Sequence, residues 1–190
     1  CWALTAHTTA AFNTAAGFKA MFAHTTGQGV AVGYNALLAN TIGANLVAIG
    51  YRALEANTSA NDNIAVGSLA LNANTTGAGN VAVGSSALGS CVSASSNTAV
   101  GQSALFHNTG AGNTALGANA LLANTTGVQS VAVGRDALVA ATTAVWNTAV
   151  GAAALSALTT GLSNTAVGMG AGSAPNGVSA NATVVGNSNV

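Results

Sequence analysis

The 190-residue chain is predicted to be all-β, a parallel β-solenoid of about eleven 17-residue coils. Three observations predict this fold: a glycine recurs every 16 to 18 residues, a strand-like triplet precedes it, and turn-forming residues fill two other places in each unit. The recurring residues, called the closing glycines below, are Gly17, Gly33, Gly50, Gly67, Gly84, Gly101, Gly117, Gly134, Gly151, Gly168 and Gly186.

The triplet before each closing glycine predicts a short strand. Its first residue is always β-branched, its second is Ala in every unit but the last, and its third is Val, Ile or Leu in every unit but the first. β-branched residues favour strands, and side chains alternate between the two faces of a strand. Since both faces are apolar, we expect burial on both sides. The first and third residues are expected to fill the coil's own core, and alanines such as Ala99 to meet a neighbouring subunit.

Two variable positions follow each closing glycine, and then an Ala-Leu pair such as Ala70-Leu71. The pair predicts a second short strand with its own buried residue. The variable positions hold most of the few charges and are expected to face solvent. These charged residues are Lys19, Arg52, Arg135 and Asp136.

Two turns complete each unit, as in Asn74-Thr75-Thr76-Gly77 and Gly79-Asn80. Asn and Thr side chains bond nearby backbone in turns, and Gly tolerates positive φ. The same residues exclude a continuous helix. Stacked coils about 4.8 Å apart would form a rod of about 50 Å, along which asparagine ladders satisfy one another's amides.

The repeat predicts the domain organisation. Residues 1–172 are assigned to the solenoid, and residues 173–190 to an irregular break, marked by Pro175, and the start of a further coil or segment. The chain begins at Cys1 and ends at Val190 partway through repeats, so we expect a window of a longer fibre protein.

Composition narrows the classes of function. Charged residues make up 3% of the chain and the net charge is zero, so no basic surface indicates nucleic-acid binding. So few charges favour burial of surface against copies of the chain. The uncharged stretch 137–158 is long enough to span a bilayer, but it keeps the repeat register, and no membrane span is expected.

No catalytic, cofactor-binding or metal-binding residue is predicted, and the chain is not expected to be an enzyme. The acids Glu55, Asp62 and Asp136 are scattered, the cysteines Cys1 and Cys91 form no motif, and no helix follows the glycines of 168–172 to bind phosphate. The histidines His7, His24 and His107 are assigned to the turn position of Asn. They either replace Asn there or, for His7 and His24 in a trimer, cluster to bind Zn or Ni. The first reading is favoured because no carboxylate or cysteine shares the position.

Three surface features leave alternatives open. Sequons at Asn57, Asn74, Asn124 and Asn181 arise from the turn consensus or carry sugars. The aromatic residues Phe18, Tyr34 and Tyr51 share one position in successive coils, where they pack on one another or stack on glycans. A predicted column of threonines suggests an ice-binding surface. However, adjacent threonines on a strand would face opposite ways, which argues against the flat two-column array that such a surface needs.

The units Val30-Ala31-Val32-Gly33 and Val81-Ala82-Val83-Gly84 resemble the repeat core of trimeric autotransporter adhesin heads. The longer unit with Ala-Leu and Asn-Thr-Thr-Gly is similar to repeats in bacteriophage tail fibres. The resemblance covers nearly the whole chain and implies a left-handed parallel β-roll and a homotrimer. Adhesin heads use shorter coils, so the handedness and subunit packing are not carried over.

The sequence therefore predicts a structural segment, shaft or head, of an extracellular homotrimeric fibre that supports attachment to a host or surface. The partners expected are further copies of the chain and cell-surface glycans. A self-assembling extracellular filament is the alternative, and an ice- or polysaccharide-binding solenoid is a third.

Overall fold

A computed structural model of the chain describes residues 3–4, 12–173 and 181–186. Eleven strands of three or four residues each end just before a closing glycine, as predicted. They are β1 (Asn13–Ala16), β2 (Gly29–Val32), β3 (Leu46–Ile49), β4 (Ile64–Val66), β5 (Val81–Val83), β6 (Thr98–Val100), β7 (Thr114–Leu116), β8 (Val131–Val133), β9 (Thr148–Val150), β10 (Thr165–Val167) and β11 (Thr183–Val185).

The described strands form one parallel sheet in which neighbours in sequence are neighbours in space. Pairing joins equivalent repeat positions, as in Ala82 with Ala99. Unequal repeat lengths leave this register intact, because Thr98 pairs with Thr114 and Thr165 pairs with Thr183. A parallel sheet with one strand per repeat requires the chain to wind once per strand, so the predicted parallel β-solenoid is confirmed.

No described residue is helical, and the described part of the chain offers no helix able to cross a membrane. The uncharged stretch 137–158 contains β9 and turns instead. Within the predicted break at 173–190, residues 174–180 and 187–190 lie outside the described residues. β11 follows the first of these gaps and pairs with β10.

The closing glycines are required for two reasons. Their φ angles lie between 129° and 140°, where residues with side chains are strained. In addition, a Cβ added at any of them from Gly17 to Gly168 would lie 2.3 to 2.6 Å from the carbonyl oxygen of the next closing glycine. The glycine column therefore sets how closely the coils stack.

The predicted orientation of the strand residues is wrong. Ala99 of β6 is 0% exposed in the coil's interior, whereas Thr98 and Val100 lie partly exposed on the outer side. The middle alanines of β2 to β10 are all fully buried in the same way. Alanine is thus the strand's core residue, and the bulkier residues face outward.

Crowding in the interior explains this orientation. The rest of each coil already supplies a large buried side chain, in a column that runs from Met21 through Leu71 to Leu155, and asparagines from two turns. Interiors are close-packed, so the strand can add only a methyl group. The polarity of the two strand faces, which the sequence shows, does not reveal the volume available inside the coil.

The second strand predicted at the Ala-Leu pair does not form. These residues lie in a run of turns, where the leucines have φ of 49–53°, a left-handed conformation that costs about 1 kcal/mol per residue. Arg52, two residues before Leu54, is also left-handed. The Arg52 N–H donates to Tyr34 of the preceding coil at 2.8 Å, and the Leu54 N–H donates to Ala70 of the following coil at 3.0 Å. Hydrogen bonds in both directions thus hold the strained turn.

Asparagine ladders form inside the coils, as predicted. The turn ladder comprises the asparagines that begin the turn before each strand, Asn40, Asn57, Asn74, Asn108 and Asn124, which are all fully buried. The amide of Asn57 donates to the side-chain oxygen of Asn40 at 2.9 Å and to the carbonyl of Ala60 at 3.2 Å. Each such residue therefore closes its own turn and links two coils.

A second ladder, the pre-strand ladder, comprises Asn63, Asn80, Asn97, Asn113, Asn147 and Asn164, with Ser130 in one coil. The side-chain oxygen of Asn80 accepts the backbone N–H of Asn97 at 3.0 Å, and its amide donates to the carbonyl of Ala94 at 2.8 Å. Because buried polar groups must be paired, these asparagines satisfy backbone groups that water cannot reach.

Cys91 interrupts the turn ladder between Asn74 and Asn108. Its thiol is buried and donates weakly to the carbonyl of Ala94, 3.8 Å away, in place of an asparagine amide. Burial raises the pKa of this thiol. The position therefore fits an asparagine better than the residue it holds.

We expect Cys91→Asn to stabilise the protein by about 1 kcal/mol at pH 7, because it adds one hydrogen bond to the ladder. The gain should grow with alkaline pH. A raised pKa in the folded state means that the wild type loses stability as pH rises above about 8.5, where the unfolded thiol ionises. Guanidinium unfolding at pH 7 and pH 9.5 measures both effects. Cys91→Ala is the control, and equal stability of the two variants would contradict the prediction.

Candidate interaction surfaces

The residues that could carry chemistry remain dispersed in the structure. Among the described residues, no three of His, Cys, Asp and Glu come together to hold a metal ion. Glu55 has more side-chain partners than the other two acids, Asp62 and Asp136. It pairs with Arg52 and accepts from the amides of Asn35 at 2.9 Å and Asn72 at 3.1 Å. The hydrogen bond that Arg52 donates to Glu55, followed by the negative charge of Glu55, raises the pKa of Arg52. This cluster joins three successive coils.

His24 takes an asparagine position in the turn ladder, as predicted. It is fully buried, with Nδ1 2.8 Å from the amide nitrogen of Asn40 and Nε2 3.3 Å from the carbonyl oxygen of Gly27. An imidazole that accepts at Nδ1 and donates at Nε2 matches both partners. Both nitrogens thus act within the ladder, which leaves neither for the hypothetical metal cluster. His7 lies outside the described residues.

His107 does not occupy the asparagine position to which it was assigned. Asn108 holds that position, and the exposed His107 precedes it and packs edge-on against Phe106 with ring centroids 4.7 Å apart. The repeat ending at Gly117 is one residue shorter because its turn, Asn108-Thr109-Gly110, lacks one threonine, and the assignment of His107 did not follow from this spacing. The spacing from Leu105 would have placed Asn108 correctly.

The sequons divide into two groups. Asn57, Asn74 and Asn124 are fully buried in the turn ladder, and their amide nitrogens donate within it. A glycan requires an accessible amide, so these three sequons are products of the turn consensus in the folded protein. Asn181 is exposed.

The rings of Phe18, Tyr34 and Tyr51 form a stacked column. Successive centroids are 5.3 and 5.5 Å apart, the planes deviate by 14° and 15°, and all three side chains remain partly open to solvent. Stacking places ring faces against one another and leaves mainly ring edges outside. The packing alternative is therefore supported, since a sugar would need a free ring face.

The threonine ladder lies at a corner rather than on a strand. The Thr41 hydroxyl donates to the carbonyl of Thr58 at 3.0 Å, and similar bonds recur along the column. The adjacent residues Thr125 and Thr126 are both exposed, so the expectation that neighbouring threonines face opposite ways is wrong here. The reason is that the segment is a bend, in which side chains do not alternate.

The largest regular surface is the outward side of the sheet, here called the outer sheet face. It comprises the first and third residues of each triplet before a closing glycine, and sequence reasoning had placed them in the core. They form two columns: Thr14, Val30, Val47, Ile64, Val81, Thr98, Thr114, Val131, Thr148, Thr165 and Thr183, and Ala16, Val32, Ile49, Val66, Val83, Val100, Leu116, Val133, Val150, Val167 and Val185.

The outer sheet face is uncharged and mainly apolar: threonine holds six of its 22 positions, and Val, Ile, Leu or Ala holds the others. All its residues are partly or fully exposed. In the third-position column, the most exposed residues between Val32 and Val167 have 37% to 47% of their surface open to solvent. Eleven strands spaced about 4.8 Å apart, each three residues long with a rise of about 3.3 Å per residue, make a face of about 500 Å². Mainly apolar surface patches of that size are often functional, so the outer sheet face is the candidate interaction surface.

Comparison with protein-family models, with curated proteins and with solved structures finds no match in any of the three.

Proposed function

We propose that this chain is a structural segment, shaft or head, of an extracellular homotrimeric fibre, of the kind found in phage tail fibres or surface adhesins. Its role would be to hold an attachment site away from the fibre's base. The observation that carries the proposal is the continuity of the ladders. Neighbouring coils in the described part of the chain are hydrogen-bonded through backbone groups, and most of them also through asparagine or threonine side chains.

Such continuity suits a mechanical element. Each coil satisfies groups that its neighbour leaves open, so bending or opening one coil breaks backbone and side-chain bonds together. The buried asparagines make local opening costly, since each leaves backbone groups unpaired. A stiff rod resistant to proteases is the expected property.

Mass measurement and imaging of the purified chain test the proposal. Light scattering coupled to size exclusion should give three times the monomer mass of 18.0 kDa. Electron microscopy should show rods of about 50 Å, from eleven coils at about 4.8 Å. A monodisperse 18.0 kDa monomer at all concentrations would contradict the fibre proposal, and rods of indefinite length would favour the self-assembling filament instead.

A further inference from the structure

We propose that the outer sheet face is the surface by which copies of this chain bind one another. The inference rests on the proposed fibre function and identifies its interface. It reverses the sequence-based expectation, in which alanines such as Ala99 met the neighbouring subunit. Ala99 lies inside the coil, and the flanking Thr98 and Val100 are the residues that a partner would reach.

The size of the face fits association with further copies. A homotrimer that brings three outer sheet faces together around one axis would bury about 1,500 Å² in total, the area of a standard-size protein interface. The face has no charged residue in any described strand, so two copies meet without repulsion between like charges. The backbone groups of the sheet already pair with each other, which leaves side-chain packing as the means of association.

The repeat spacing also fits a second copy. Sheets pack face to face when side-chain rows of one interdigitate with rows of the other. Two copies carry the same coil spacing, so rows such as Val83 and Val100 can fit between partner rows along the whole rod without losing register. A partner without this period would match only a few coils.

The test places two lysines on the face in successive coils, as Val83→Lys/Val100→Lys. The matched control is Ser85→Lys/Gln102→Lys, which adds the same charges two residues further along the same coils, at exposed positions outside the face. Sedimentation velocity over a concentration series measures association, and circular dichroism with thermal unfolding checks that each variant remains folded. We expect the face variant to weaken association by about 100-fold or more, because buried unpaired charges oppose it, and the control to match the wild type.

A milder variant keeps the test valid if the lysines prevent folding. Val83→Thr/Val100→Thr uses residues that the face already contains in other coils, and we expect it to weaken association by about 10-fold. Three results would overturn the interface. If the lysine variant associated as strongly as the wild type, the interface would be rejected while the fibre proposal would stand. A monomeric wild type would overturn both. A monomeric wild type whose solutions show thermal hysteresis, abolished by the face lysines, would assign the face to ice instead.

Discussion

Gly101→Ala should destabilise the protein by about 4 kcal/mol. The new Cβ would lie 2.5 Å from the carbonyl carbon and oxygen of Gly117 and 2.9 Å from the backbone nitrogen of Ala118. All three are backbone atoms, so relief requires the two coils to separate. The φ of 134° adds strain of its own. Chemical unfolding measures the loss, and hydrogen exchange should show opening that begins at the strands β6 and β7.

Gly79→Asn is the matched control for this prediction. Gly79 has φ of 67°, its nearest neighbour to an added Cβ is the Ser96 hydroxyl at 3.9 Å, and the equivalent positions of other coils hold Asn45 and Gln129. We expect a change within about 0.5 kcal/mol, since asparagine tolerates this conformation. Equal effects of the two substitutions would show that coil spacing does not depend on the glycine column.

Asn80→Ala should cost a similar amount, about 4 kcal/mol. The substitution leaves the backbone N–H of Asn97 buried without its partner, at a cost of about 1 to 3 kcal/mol. It also leaves the carbonyl of Ala94 with only the weak bond from the Cys91 thiol, and it adds a cavity. The loss of stability is measured as a lower midpoint of unfolding in guanidinium chloride, with an unchanged dependence of the unfolding free energy on denaturant concentration.

Two further variants make this a graded series. Asn80→Ser should lose less, because Ser130 occupies the same ladder and its hydroxyl accepts the N–H of Asn147 at 3.2 Å. Asn61→Ala removes an asparagine oxygen that accepts the Ala44 N–H at 2.8 Å in an exposed setting, so water can replace it at a cost below about 1 kcal/mol. If Asn61→Ala proved as costly as Asn80→Ala, burial would not be the reason for the ladder's strength.

The repeat predicted most of the architecture because each coil meets the same environment as the next. Strand positions, turn positions and the asparagine ladders followed from spacing and residue type. The stacking of Tyr34 between Phe18 and Tyr51 followed as well, since residues 16 or 17 apart occupy equivalent places in successive coils.

The candidate interface was not predicted. Periodicity showed that the flanking residues of each triplet share one side and the alanine the other, but it carries no information on which side is inside. That choice depends on volumes contributed by distant parts of the coil, above all the leucine column and the two ladders. Val83 and Val100 therefore appeared to be core residues although they lie on the surface.

The sequence by itself determined the period, the parallel stacking and the positions where only glycine fits, since these follow from local backbone preference repeated along the chain. Only the tertiary structure decided that leucines such as Leu71 adopt left-handed turns, that Ala82 fills the core, and that the larger strand residues face outward. The physical reason is the narrow coil interior. Leucine's unfavourable backbone conformation is offset by burial and by hydrogen bonds to the next coil, and neither is visible in a single repeat.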